Sequence, residues 1–443
     1  MRDTIFAPAT IIGKAGIAVI RISGPNATLA INALGYNKLP APRIATLAKL
    51  YSPSSKELID EAIIIWFQGP KSFTGEDVVE LHTHGSKAVI NALMEVLSTI
   101  KGFRVAGPGE FSIQSFSNGK MDLTTAEGLA DLIEAETSMQ LKQALRQMQG
   151  ELGQLYESWR VQLIKASSLV EAYIDFPDED LPTNVIKELR EVVDSLINTI
   201  DEHLNDNRKG EILRNGLHIT ILGAPNVGKS SLLNLLAKRE VAIVSNIAGT
   251  TRDIIEVNLD IAGYLVTLAD TAGIREDADI IEKEGIKRAL DKAGYTDLKL
   301  VLFDASLLPD LDPFTLKLID DKTIILFNKT DIAKEALPEN IHGIKPLGVA
   351  IEKNIGVDEL LNLLKDYVTK ELGTSSAPVL TRVRHRQNLQ ECQKSLQHFT
   401  LDKDIELAAE DLRMACVYLG RITGKIDVDT ILGEIFSNFC IGK

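Results

Sequence analysis

Apolar residues recur along this chain with two different periods, and the period changes by region. Residues 16–22 and 58–67 are dense in Ile and Val, and turn clusters such as Gly69-Pro70 and Gly107-Pro108-Gly109 punctuate the stretch, so both runs predict strands. Within 87–100 the apolar positions Val89, Leu93, Val96, Leu97 and Ile100 fall three or four apart, which predicts a helix. Residues 1–118 therefore read as an α+β domain. Beyond residue 120 the helical spacing dominates. Residues 124–155, 158–174 and 184–204 predict three long amphipathic helices, interrupted at Asp175-Phe176-Pro177-Asp178. Residues 216–372 alternate short β-like runs with helical ones, and helical spacing returns over 384–396, 405–419 and 429–438.

An α/β segment thus lies between two all-helical flanks, neither long enough to be a comfortable domain by itself. The pattern predicts one all-α bundle split in sequence, 119–210 and 374–443, with an α/β domain over 216–373 inserted at a surface point where chain ends lie close together. The length of 443 residues agrees with about three domains. The 62 acidic against 48 basic residues give a net charge of −14, which argues against indiscriminate nucleic-acid binding, because counterion release needs a dense basic face. The longest apolar stretches, such as 62–67, fall far short of the roughly 20 residues that span a bilayer. No basic region followed by an apolar run opens the chain. The three cysteines, Cys392, Cys416 and Cys440, are widely spaced, which points away from a disulfide framework or structural zinc and toward a reducing compartment. The expectation is a cytoplasmic protein without membrane association.

Chemistry enters at Gly223-Ala224-Pro225-Asn226-Val227-Gly228-Lys229-Ser230, a G-x-x-x-x-G-K-S run that follows a β-like stretch and opens a helix-like one. Its glycines let the backbone wrap a phosphate, and the helix N-terminus adds partial positive charge. Lys229 would reach the β- and γ-phosphates of a nucleotide and the Ser230 hydroxyl would ligate Mg²⁺. Downstream, Asp270-Thr271-Ala272-Gly273 ends another β-like run; its Asp suits Mg²⁺ held through water, and its Gly N–H suits the γ-phosphate. Asn328-Lys329-Thr330-Asp331 ends a third. An Asp there accepts both N1–H and N2–H₂ of guanine, a donor pair adenine lacks, so Asp331 selects GTP. Gly249-Thr250-Thr251-Arg252-Asp253 supplies hydroxyls for a switch loop, although a Thr pair alone is more often a strand start. Four elements in chain order, each at a strand end, predict a Ras-like P-loop GTPase domain. Ile274 stands where Ras-type enzymes place the Gln that orients the attacking water, so another group must do so, and the acidic stretch 276–284 is the reservoir.

At these residues the sequence resembles the MnmE (TrmE) family of tRNA-modifying GTPases, and the resemblance covers the whole chain. Beyond the GTPase elements it rests on Phe73-Thr74-Gly75-Glu76-Asp77 with Glu80-Leu81, on Gly107-Pro108-Gly109-Glu110-Phe111-Ser112, on Asn118-Gly119-Lys120-Met121-Asp122-Leu123, and on the terminal Cys440-Ile441-Gly442-Lys443. Membership implies a folate-binding and dimerisation domain at 1–118, the split helical domain and the inserted G domain. It implies a homodimer that joins an FAD- and NADH-dependent partner, MnmG, in a heterotetramer. Together they would place an aminomethyl or carboxymethylaminomethyl group on carbon 5 of wobble uridine 34 in certain tRNAs, with carbon from a 5-formyl or methylene tetrahydrofolate.

Carried over by position, the resemblance implies K⁺ ligation by Asn226, Ser245, Ile247 and Thr250, and Mg²⁺ ligation by Ser230 and Thr251. Glu282 would orient the water, as catalytic residue. Nucleotide contacts would come from Gly223, Asn226, Val227, Gly228, Lys229, Ser230 and Ser231. The switch stretch Ser245, Asn246, Ile247, Ala248, Gly249, Thr250 and Thr251 would add more, as would Asp270, Thr271, Ala272, Gly273, Asn328, Lys329 and Asp331. A K⁺ beside the bridging region of the phosphates supplies charge that an arginine finger otherwise gives. Folate would meet Arg21, Glu80, Lys120 and Lys443, a pterin's N–H donors suiting the carboxylate and its glutamate tail suiting the cations. Cys440 is either an activated thiol or an inert one. One departure stands out: the guanine-base loop of the family reads S-A-K, and the corresponding stretch is Ala350-Ile351-Glu352.

Two smaller signals are open between chemistry and packing. The basic run Arg382-Val383-Arg384-His385-Arg386 suits either tRNA phosphates or a packing strip. His82 and His84 share a strand face but have no evident third metal ligand. A regulatory GTPase of ribosome assembly, without modification chemistry, is the competing functional reading. It leaves the terminal Cys-x-Gly-Lys and the long N-terminal extension unexplained. Which tRNAs are served, whether ammonia or glycine gives the nitrogen, and how the partner docks are not encoded in these patterns.

Overall fold

The computed structural model describes residues 3–175, 183–239, 241–243, 256–270, 296–373, 378–401, 404–426, 429–437 and 439–442. These form two compact units. The first comprises 1–130, 147–194 and 391–443, the second 131–146 and 195–390.

The first unit contains a six-stranded sheet in the order β3-β4-β5-β2-β1-β6, with β1 Thr4–Pro8, β2 Ala15–Ser23, β3 Thr46–Tyr51, β4 Leu58–Phe67, β5 Val78–Gly85 and β6 Phe103–Val105. Only the β1–β6 pair is parallel. Alternation along the strands buries one face, where Ile20, Ile22, Leu50, Ile64, Trp66 and Leu81 meet Leu93, Val96 and Leu97 of helix Lys87–Ser98. That helix begins at the N-cap Ser86, whose hydroxyl oxygen accepts from the Val89 N–H.

The helical flanks belong together. Helix Glu151–Asp175 packs along helix Ile405–Thr423, one from before the α/β segment and one from after it. Their buried residues are Leu152, Tyr156, Trp159, Leu163, Ala166 and Val170 on one, and Ala408, Leu412, Ala415, Leu419 and Ile422 on the other. The structure corrects the helix boundaries expected from spacing. Residues 124–155 are not one helix: helix Leu123–Glu134 ends, helix Ser138–Met148 follows, and helix Glu151–Asp175 runs unbroken through the expected gap near 156. Two local signals set these breaks. Thr137 and Gln140 form a capping box, the Thr137 hydroxyl oxygen accepting from the Gln140 backbone N–H and the Gln140 side-chain Oε1 from the Thr137 backbone N–H. Gly150, at φ +86°, takes the left-handed conformation that ends the second helix.

The second unit holds a six-stranded sheet in the order β12-β11-β10-β7-β9-β8, with β7 Leu217–Gly223, β8 Glu256–Ile261, β9 Tyr264–Asp270, β10 Leu298–Asp304, β11 Thr323–Asn328 and β12 Leu347–Gly348. Every pair is parallel except β8–β9. Strands buried on both faces read as continuous apolar runs, as residues 300–303 do within β10. Helices Lys229–Leu236 and Val357–Leu372 contribute Leu232, Leu233, Leu236, Leu360, Leu364 and Val368 to the core. Gly223, Asp270, Asp304 and Asn328 all stand at carboxyl ends of parallel strands, where open α/β sheets bind ligands.

The basic run over 382–386 is a packing strip. Arg382 and Arg214 both donate to Asp131 Oδ1, at 2.7 Å each, while Arg386 donates to Asp206, Glu211 and the Leu204 carbonyl. The histidine pair is likewise structural: His84 meets Asp60 at 2.7 Å and His82 meets Glu80 at 3.3 Å. Among the described residues no group of three or more His, Cys, Asp or Glu is placed to hold a metal, and no helix is long and apolar enough to cross a membrane.

Candidate functional site

The loop after β7 is built for close backbone approach. A Cβ at Gly223 would lie 2.4 Å from the Leu302 carbonyl oxygen, and one at Gly228 would lie 2.3 Å from Asn328 Nδ2. Gly228, at φ +105°, is the N-cap of helix Lys229–Leu236, and Asn226 turns the chain before it at φ +61°. The helix therefore starts at the loop, with the unpaired N–H groups and partial positive charge of its N-terminus there. The Lys229 ammonium is buried and donates to the carbonyl oxygens of Gly223 at 2.9 Å and Ala224 at 2.8 Å, so its side chain folds back across the loop. Asn226 and Ser230 are exposed beside it. Concave backbone, a helix N-terminus and one buried cation together suit a polyphosphate.

Asn328 joins this loop to a second one. Its Nδ2 donates to the Val227 carbonyl at 2.8 Å, and its Oδ1 accepts from the Ile351 N–H at 3.1 Å. The stretch Ala350-Ile351-Glu352 thus lies against the strand end that carries Asp331. It forms a tight turn, Ile351–Lys353, closed by Ala350 and Ile355 exchanging backbone hydrogen bonds at 3.0 and 3.1 Å. Lys329 donates to Asp304 Oδ2 at 2.6 Å and to the Asn226 carbonyl at 3.3 Å. Burial alone would raise the Asp304 pKa, but the Lys329 ammonium and the Ser306 hydroxyl and N–H hold that carboxyl below the usual carboxylate range. Asp331 pairs with Lys353, Nζ to Oδ2 at 2.9 Å, and that ammonium keeps its pKa low. At pH 7 the Asp331 carboxylate is ionised, as an acceptor of two N–H donors must be.

The first unit brings a second group of candidates together. Strand register sets Arg21 of β2 opposite Glu80 of β5, and the guanidinium donates to Glu80 Oε1 from Nε at 3.0 Å and Nη2 at 2.9 Å. The same guanidinium lies over the rings of Phe73 at 5.6 Å and Phe111 at 5.8 Å. The chain's C-terminal residues arrive here too. Arg21 Nη1 donates to the Gly442 carbonyl at 3.5 Å, the Gly109 N–H to the Cys440 carbonyl at 3.4 Å, and a Cβ at Gly442 would lie 2.2 Å from the Pro8 carbonyl oxygen. The loop bearing Phe73 is fixed from below by Ser115, which donates to the Phe73 carbonyl at 2.8 Å, and by Asn118, which donates to the Thr74 carbonyl at 2.7 Å. Lys120 passes beside Gly75 in that loop. Cys440 is exposed, whereas burial pushes the Cys392 thiol pKa well up.

Comparison with known proteins bears on both groups. A family model described as the MnmE helical domain matches residues 123–440, and one described as the GTP-binding protein TrmE N-terminus matches 4–120. A protein of Rickettsia bellii (strain OSU 85-389), named tRNA modification GTPase MnmE, is 52% identical over 444 residues, covering 100% of each chain. The chain belongs to the MnmE family. A Wolbachia relative of the same name, from Wolbachia sp. subsp. Drosophila simulans (strain wRi), is 51% identical over 100% of this chain and 99% of its own. Among solved structures, the G domain of the T. maritima FeoB iron transporter covers 35% of this chain and 98% of its own at 24% identity and TM-score 0.26, a superposition too loose to carry inference.

As an MnmE family member the chain is a GTPase of tRNA modification, with the α+β N-terminal domain, split helical bundle and inserted P-loop domain read from its sequence. Of the expected nucleotide residues, Gly223, Asn226, Val227, Gly228, Lys229, Ser230, Ser231, Asn328, Lys329 and Asp331 lie among the described residues. The backbone of Asp270 ends β9, paired with Ile221. Ser245, Asn246, Ile247, Ala248, Gly249, Thr250, Thr251, Thr271, Ala272, Gly273, Glu282 and Lys443 lie outside the described residues. Sequence reasoning missed Lys353, Asp304, Phe73 and Phe111 as neighbours of the expected residues. A surplus lysine just after the Ala350-Ile351-Glu352 departure was the one available signal for the first.

Proposed function

We propose that this chain is a K⁺-stimulated, Mg²⁺-dependent GTPase of the cytoplasm that acts as a homodimer and pairs with an FAD- and NADH-dependent partner, MnmG. Together they install an aminomethyl or carboxymethylaminomethyl group on carbon 5 of tRNA wobble uridine 34, with the carbon drawn from a tetrahydrofolate derivative. We assign the folate and dimerisation domain to 1–118, the helical parts to 119–210 and 374–443, and the G domain to 216–373.

The observation that carries the nucleotide half is the Lys229 ammonium folded over the phosphate loop while Asn328 ties that loop to the base side. In hydrolysis, water attacks the γ-phosphorus and the bond to the bridging oxygen breaks, leaving GDP and inorganic phosphate. Lys229 meets the growing charge on the bridging side, Asp331 holds the guanine edge, and Glu282 orients the water. The exposed Ser230 hydroxyl and Asn226 amide fit hard cations, which take oxygen ligands. Bound Mg²⁺ at Ser230 and Thr251, and K⁺ at Asn226, Ser245, Ile247 and Thr250, would supply countercharge to the phosphates. For the folate half, Arg21 over two aromatic rings with Glu80 beside it suits a flat heterocycle, and Lys120 and Lys443 would supply cations for its anionic tail.

Mass spectrometry of wobble uridines tests this reading. Cells lacking the protein should lose the carbon-5 group from tRNA, and a Lys229→Ala copy should fail to restore it while an unaltered copy succeeds. Unchanged uridines in the deletion strain would remove the modification role.

A further inference from the structure

The carboxylate that selects guanine has a partner no motif of the GTPase domain calls for. Lys353 Nζ lies 2.9 Å from Asp331 Oδ2, and the two side chains are 59% and 20% exposed. The lysine is held in place by its backbone: it ends the turn Ile351–Lys353, and Asn354 follows at φ +57°. Arg239 then pins the turn's far side by donating to Asn354 Oδ1 and, at 2.9 Å, to Asp358 Oδ1. Position 350 offers Asp331 no side-chain donor, since its alanine methyl is buried and carries none. Among the described residues, Lys353 is the side-chain donor the structure gives to this carboxylate.

We propose that Lys353 is a positioning residue for guanine recognition, holding the Asp331 carboxylate in one orientation so that both oxygens face the N1–H and N2–H₂ edge. The lone pairs suffice for this. An ionised carboxylate offers about four acceptor sites, the base edge takes one on each oxygen, and Lys353 takes a further one on Oδ2. Without the lysine, Asp331 samples other rotamers, and the base must fix it on binding. The role rests on the GTP reading above and deepens it.

The test is titration of the full chain with GDP and with IDP, whose inosine base lacks the 2-amino group. Wild type, Lys353→Met and Lys353→Arg are compared at low and high salt. Lys353→Met should weaken GDP by about two- to fivefold, the range of an exposed charged pair, and IDP by less, so that the GDP-to-IDP preference shrinks. Lys353→Arg should retain it. Salt should erode the preference in wild type and leave it flat in Lys353→Met. An unmoved preference in Lys353→Met, or tighter GDP binding, would overturn the role and leave the GTPase intact. Failure of wild type to bind GDP would bring down the GTP reading and this role with it.

Discussion

Single side chains decide which nucleotide this site accepts. In the proposed function Asp331 would accept from two guanine donors, so an amide in its place would present an N–H to the base where an acceptor is needed. Xanthine carries an oxygen at carbon 2 and suits that amide. Asp331→Asn should weaken GDP by about ten- to a hundredfold, the worth of a hydrogen bond to a charged group, and favour XDP; competition titration reads both. An unchanged preference would place the base pocket elsewhere. Much of this was legible from residues alone, because phosphate cradling needs glycines at fixed spacing and guanine selection needs an Asp after a strand. Lys353 was not. Its meeting with Asp331 depends on how the turn after β12 lies against the end of β11, which no local period encodes. Arg21 and Glu80 were named as folate contacts but not as an ion pair, since their contact comes from the register of β2 on β5.

At the scale of elements, apolar spacing located nearly every long helix and misplaced their ends. Thr137 and Gln140 divide a continuous periodic stretch because a capping box competes with helix propagation, whereas at residues 156 and 157 no such signal exists and the helix continues. Where helix Thr183–Leu204 ends and helix Val383–His398 begins, a charged cluster forms around His203. Facing it are Asp206, which favours the imidazolium, and His385 and Arg386, which oppose it. Burial dominates and pushes the His203 pKa down to about 4. The folded state therefore prefers neutral His203, while the unfolded chain takes up a proton near pH 6.5. Stability from this group is full above about pH 6.5 and is lost as pH falls toward 4, by on the order of 2–3 kcal/mol. Urea midpoints measured across that window should fall in wild type, and His203→Gln should flatten the slope. Parallel slopes would show that other groups set the acid sensitivity.

For the whole molecule, the split bundle was legible because helical periodicity stops and restarts around a strand-rich insert, and helix Glu151–Asp175 does pack on helix Ile405–Thr423. The return of the C-terminal residues to Arg21 was visible only as an unusual terminal motif, since chain ends reveal no spatial partner. The net charge of −14 leaves individual cations at the candidate sites: Lys229 on the loop after β7, Lys353 at Asp331 and Arg21 at Glu80. With Ile274 unable to orient water, charge compensation by a monovalent cation is the central functional claim. Its most direct measurement is GTP turnover by the full chain in KCl against equimolar NaCl. Turnover at least about tenfold faster in KCl is expected, a floor well below the roughly 10³–10⁵-fold worth of an arginine finger; equal rates in the two salts would contradict it.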